Sequence, residues 1–100
     1  MKIYISGKIS GLPFEQVAHK FNSAEERLKR QGISKVVNPI KLDHSANTEQ
    51  DWAMYMKTDL IALLDCDTIL MLPCWPDSTG AKMELQTALN LNFNIIWASE

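Results

Sequence analysis

No stretch of this sequence approaches the ~18–20 consecutive apolar residues that span a bilayer, so no membrane partner is expected. The start, Met1-Lys2-Ile3-Tyr4-Ile5-Ser6-Gly7, is too short and too broken for a signal peptide, and a cytoplasmic location is expected. A basic surplus is also missing: ten Lys+Arg against twelve Asp+Glu give a net charge of −2. Nothing then drives binding along a phosphate backbone, and a nucleic-acid polymer is not an expected partner. A small anionic ligand needs only local positive potential and stays open. Cysteine is scarce, with Cys66 and Cys74 alone. If a strand separates them, eight steps at ~3.3 Å set them about 25 Å apart, beyond the ~7 Å limit of a disulfide. Two free thiols suit a reducing compartment. The two histidines, His19 and His44, lack the Cys/His spacing of a metal site. Neither a metal nor another cofactor is expected.

What is present describes one globular domain. The chain has 100 residues, 46% apolar and 22% charged, which rules out disordered and coiled-coil classes. Lys2–Ser6 is short, β-branched and aromatic, and reads as a buried strand ending at Gly7. A helix follows the Gly7-Lys8-Ile9-Ser10-Gly11 turn, with Phe14, Val17, Ala18, Phe21, Ala24 and Leu28 at helical spacing. Glu25/Lys29 and Glu26/Arg30 are expected as i,i+4 pairs on its wet face, and Gly32 stops it. Residues 33–38 read as a second strand, closed by Pro39, and 39–47 as a polar loop. Thr48-x-x-Asp51 resembles a capping box opening a second helix, with Trp52, Met56, Leu60, Leu63 and Leu64 as its apolar stripe. Residues 68–73 are nearly continuously apolar, as in a central parallel strand. A third helix begins near Ser78, Thr79 and Gly80 and turns Ala81, Leu85, Ala88 and Leu89 inward; residues 93–98 form the last strand. The order βαβαβαβ predicts a three-layer α/β/α sandwich with a four-stranded parallel sheet, Rossmann- or flavodoxin-like. Ligands of such sheets sit beyond the carboxyl ends of the strands, which directs attention to 7–13, 38–47 and 74–84.

Four constellations fall there. Gly7, Lys8, Ile9, Ser10 and Gly11 let backbone N–H groups approach an anion, although the same glycines also serve a tight strand-to-helix turn. Ser78 and Gly80 open the third helix, where a capping serine also presents hydroxyl and N–H groups to a phosphate. Glu84 by default belongs on a solvated helix face, yet its same-face neighbours, Gly80, Ala81, Thr87 and Ala88, are all small and suggest a closely packed face with space above its carboxylate. Asp59 borders an apolar stripe with no lysine or arginine at i±3 or i±4; it is either a working acid or a helix-edge aspartate reaching water. Two carboxylates on facing helices beside an anion-friendly loop suggest glycosidic chemistry. Trp52 and Tyr55 read as core or rim residues, and Trp75, in the loop after the third strand, as core or as a stacking platform for a base. Cys74 ends a strand near the site without a histidine partner in the sequence.

Tyr4-x-x-Gly7-x-Ile9-x-Gly11, Asp59 with Asp67 eight residues on, and Ser78-x-Gly80-x-x-x-Glu84-Leu85 resemble the nucleoside 2-deoxyribosyltransferase superfamily, especially its 2′-deoxynucleoside 5′-phosphate N-hydrolases. The wording YISGKISGLP, VVNP, MKTDLIALLDCDTILMLPCW and STGAKMELQTAL resembles the DUF4406 proteins more closely still, over nearly the whole chain. The resemblance implies that Glu84 is the nucleophile forming a deoxyribosyl ester, that Asp59 assists proton transfer to the leaving base, and that Tyr4 orients the nucleophile. It implies that Gly7, Ile9, Gly11, Ser78 and Gly80 belong to the phosphate subsite. Ser10 stands where the hydrolases carry arginine, and Lys8 supplies charge nearby. The chain ends at Glu100, without the C-terminal segment that reaches a neighbouring subunit's site in these enzymes. A more open site or lost activity would follow.

The resulting expectation is an N-glycosidase or N-deoxyribosyltransferase acting on a nucleoside or nucleotide, with a 5′-monophosphate favoured by Ser78. A homodimer or higher homo-oligomer is expected under the resemblance. The alternatives are a non-catalytic nucleotide-binding or sensing module and an interaction protein that has kept only the scaffold.

Overall fold

A computed structural model describes residues 1–44 and 52–99. The elements run β1 (Lys2–Ser6), α1 (Phe14–Arg30), β2 (Lys35–Val37), a 3-10 turn at Pro39–Lys41, α2 (Trp52–Leu64), β3 (Thr68–Met71), a 3-10 turn at Trp75–Asp77, α3 (Thr79–Asn90) and β4 (Asn94–Trp97). All strand pairings are parallel, in the order β2-β1-β3-β4. Alternation along the strands divides the core into two layers. Ile3, Ile5, Leu70 and Leu72 face α1 through Val17, Phe21, Ala24 and Leu28. Tyr4, Ile69 and Met71 face α2 and α3 through Leu63, Ala81, Leu85 and Ala88. The fold is thus the expected three-layer α/β/α sandwich. None of the described helices is long and apolar enough to cross a membrane.

Strand ends are shorter than the apolar runs. β2 starts two residues late, at Lys35, because the Ile33 N–H bonds Leu28 O at 3.1 Å and completes the end of α1. It loses Asn38 because that side chain caps the following 3-10 turn, accepting from Ile40 N–H at 3.3 Å. β4 starts only after a turn in which Asn92 has φ of 60° and Phe93 N–H bonds Ala88 O at 2.9 Å.

Several burial expectations are corrected. Glu25 is not on a wet face: it is buried, with Lys29 at 2.9 Å, Lys41 at 2.7 Å and the Asn38 amide at 3.1 Å. Burial alone would raise its pKa, but the two lysines and the amide outweigh that and hold it at about 2. In α2 the buried positions are Met56, Asp59 and Leu63, so Leu64, about 100° further round the helix, is exposed. Leu89 is exposed for the same reason, beside buried Ala88. Trp52 and Phe14 begin their helices at the rim of a cavity and are exposed too. The Thr48-x-x-Asp51 box lies outside the described residues.

Candidate active site

The crossovers from β1 and β3 leave on opposite faces of the sheet, and ligands in such folds bind where this divergence opens a crevice. A cavity of about 1060 Å³ lies there. Its floor and sides come from the turn after β1 (Gly7, Lys8, Ile9, Ser10), the Pro39–Lys41 turn, α2 and the start of α3. That is room for a mononucleotide-sized ligand by the usual range of such clefts.

Each predicted side chain now has a place. Glu84 lies on the cavity wall from the second turn of α3 and is buried at 5% exposure. Tyr4 lies beneath it, fully buried, and its hydroxyl donates to Glu84 Oε2 at 2.5 Å. Ser6 Oγ donates to Glu84 Oε1 at 2.7 Å. Both carboxylate oxygens are therefore held by hydroxyls from one strand. Asp59 lies on the same cavity wall from α2, and its Oδ1 meets His44 Nε2 at 2.9 Å. His44 also stacks against Tyr55, ring centroids 4.7 Å apart. Ser78 caps α3, its Oγ accepting from Ala81 N–H at 3.0 Å, and lines the cavity together with Thr79 and Gly80. Gly11 is not on the cavity lining; its φ of 81° serves the turn.

The glycines permit close approach. A Cβ on Gly80 would lie 3.0 Å from Met56 Sδ, so α3 and α2 touch through its missing side chain. A Cβ on Gly7 would lie 3.0 Å from Leu72 Cδ1 and 3.1 Å from Leu72 Cβ.

The electrostatics single out Glu84. Burial pushes its carboxyl up to about 7; the Tyr4 and Ser6 donors pull the other way, and Asp59 adds to the rise. Burial also raises Asp59, against the lowering effect of His44. Tyr4 is raised above the ordinary tyrosine value by burial and by the two carboxylates, so it stays a neutral donor. A carboxylate poised near neutrality, oriented by two donors and facing open space, can attack an electrophilic carbon or move a proton.

Two residues of this arrangement escaped the sequence. Ser6 follows Tyr4 by two in β1, so both face α3; that alternation was the available signal. His44 looked like a loop residue, and only the fold brings it to Asp59. Trp75 is placed elsewhere: it packs on the core and on Trp97, centroids 5.7 Å apart, and does not line the cavity.

No curated protein and no solved structure matches the chain. One family model does, described as "Domain of unknown function (DUF4406)", over residues 1–97. The chain accordingly belongs to the DUF4406 family.

Proposed function

We propose that this protein cleaves the N-glycosidic bond of a deoxynucleoside 5′-monophosphate, as the resemblance to the nucleoside 2-deoxyribosyltransferase superfamily implies. One observation carries the proposal: a buried carboxylate, Glu84, is gripped on both oxygens by Tyr4 and Ser6 and faces a cavity that Asp59 also lines.

In this scheme the substrate phosphate lies against the N–H groups of the turn containing Gly7, Lys8, Ile9 and Ser10 and against the start of α3, with the Lys8 ammonium as counter-charge. Ionised Glu84 attacks C1′. The C1′–N bond breaks, its electron pair goes to the base, and the proton held by the Asp59–His44 pair goes with it. Water then attacks C1′ of the ester and gives its proton back to that pair, freeing Glu84. Tyr4 and Ser6 each hold one oxygen of Glu84 and so keep the carboxylate aimed while one of those oxygens forms the bond through its remaining lone pair. A second base in place of water would make the same site a transferase. Self-association belongs to the same proposal, since related sites are completed across subunits.

The test is incubation with a panel of deoxynucleoside 5′-monophosphates, with free base measured by chromatography. Base release by the natural protein and its loss in Glu84→Ala support the scheme. Undiminished release by the variant refutes the role of Glu84. Nucleotide binding by calorimetry without any release would establish the non-catalytic module instead.

A further inference from the structure

The face of the sheet under α1 carries a second cavity, of about 450 Å³, at the carboxyl end of β3. His19, Ser23 and Arg27 line it at four-residue steps along α1, with Lys20 beside them. Cys74 and Ser99 close it, and no acidic residue stands on its lining among the described residues. The Cys74 thiol is half-buried. Its sulfur accepts from Lys20 Nζ at 3.3 Å and from the Lys8 backbone N–H at 3.2 Å. Cys74 thus lines the second cavity, and its sulfur props the Lys8 peptide that lines the first. Gly7 lies near the same sulfur: a Cβ built on it would stand 3.4 Å away, in van der Waals contact.

We propose that Cys74 is a modification site for anionic low-molecular-weight disulfides, and that the mixed disulfide displaces the turn at Gly7 and Lys8. The thiolate of Cys74 attacks one sulfur of the reagent. The reagent's S–S bond breaks, a new S–S bond forms to Cys74, and the other half leaves as a thiolate. That thiolate takes up a proton equivalent to the one Cys74 released to solvent. The protein thiol is oxidised and half of the reagent is reduced, so no further oxidant is needed. Lys20 and Arg27 give the cavity the positive face that draws in a reagent's carboxylates. An adduct on the sulfur disturbs the prop under the Lys8 peptide, and the turn at Gly7 and Lys8 moves with it. The consequence for phosphate binding rests on the function proposed above; the modification and the loop displacement do not.

Cys66 is the internal comparison. It is buried, its thiol donates to Ala62 O at 3.4 Å, and burial pushes it up to about 11.

The experiment exposes the folded protein to glutathione disulfide and, separately, to the uncharged bis(2-hydroxyethyl) disulfide, following adducts by intact mass and peptide mapping. Amide hydrogen exchange over residues 7–10 is recorded before and after. One adduct at Cys74 is expected, none at Cys66, with faster exchange in the turn and no adduct in Cys74→Ser. Arg27→Met, which leaves the sulfur's contacts in place, should slow the glutathione adduct about tenfold or more and leave the uncharged reagent's rate alone. Equal labelling of Cys66, or an unchanged glutathione rate in Arg27→Met, overturns the site. An adduct that leaves exchange in the turn unchanged overturns the coupling. Calorimetry with a deoxynucleoside monophosphate separates the two proposals: if even the unmodified protein fails to bind nucleotide while the turn still responds, only the functional reading falls.

Discussion

Ser6 Oγ reaches Glu84 Oε1 across 2.7 Å although the two residues are 78 positions apart in the chain. β1 and α3 touch at this point, and the contact ties the nucleophile of the proposed reaction to the centre of the sheet. With Tyr4 on the other oxygen, the carboxylate has a fixed direction before any ligand arrives.

The first prediction concerns pH and rate. Attack requires ionised Glu84, whose carboxyl is raised by burial to about 7. Base release should therefore rise with pH through about 7 on the acidic side of the kcat/KM profile. Tyr4→Phe removes a donor that lowers this value, so the rise should move to higher pH with the fold retained. A profile flat from about pH 5 to 8, or a shift in the opposite direction, contradicts the assignment.

The second concerns pH and stability. The folded carboxyl of Glu84 titrates near 7 and the unfolded one near 4.5, so the folded chain binds more protons between those values. Its contribution is favourable at low pH and fades as pH rises through about 7, by roughly 3 kcal/mol in all. Urea unfolding of the natural protein should show this decline, and Glu84→Gln should show a flatter curve. Glu25 works in the opposite direction, being held at about 2 chiefly by Lys41, Lys29 and Asn38 against the effect of burial. Its stabilisation is present above about 4.5 and lost as pH falls through about 2. Glu25→Ala should destabilise by about 1–3 kcal/mol at neutral pH through loss of these bonds, and by no more because the lysines can turn to water.

Much of this frame was legible in the sequence because burial repeats with the period of each element. β1 matches its apolar run residue for residue, and α3 begins one residue after the serine that caps it. What was not legible depends on tertiary contact. Glu25 reads as a wet i,i+4 partner until the Pro39–Lys41 turn lays Lys41 and Asn38 over it. Asp59 reads as unpartnered because its partner, His44, lies 15 residues away in a loop. Glu84 and Asp59 are visible as candidates, but their common cavity arises from the β2-β1-β3-β4 order.

The third prediction concerns the leaving group. Asp59→Asn removes the acid that assists base departure and also a negative charge that raises Glu84. Release of an ordinary base should fall by about 10²-fold or more. Release from a 7-methylated purine nucleotide, whose base leaves without protonation, should fall far less, and its acidic rise should move to lower pH. Equal losses on both substrates would remove Asp59–His44 from proton transfer.

The fourth concerns packing under the site. Gly80→Ala places a methyl 3.0 Å from Met56 Sδ, and Gly7→Ala places one 3.0 Å from Leu72 Cδ1 and 3.1 Å from Leu72 Cβ. Gly80→Ala meets the middle of a flexible side chain and should cost about 1 kcal/mol. Gly7→Ala meets a buried leucine near its backbone and should cost more, about 2–3 kcal/mol. Denaturant midpoints in the reverse order would show the turn after β1 to be looser than these contacts describe.

The stereochemistry at C1′ tests Glu84 as nucleophile most directly. Two successive displacements, first by the carboxylate and then by water, must return the β configuration of the starting nucleotide. Proton NMR on the first 2-deoxyribose 5-phosphate formed, recorded before its anomers equilibrate, should show the β anomer. Initial formation of the α anomer would mean that water attacks C1′ directly and that Glu84 never bonds to the sugar.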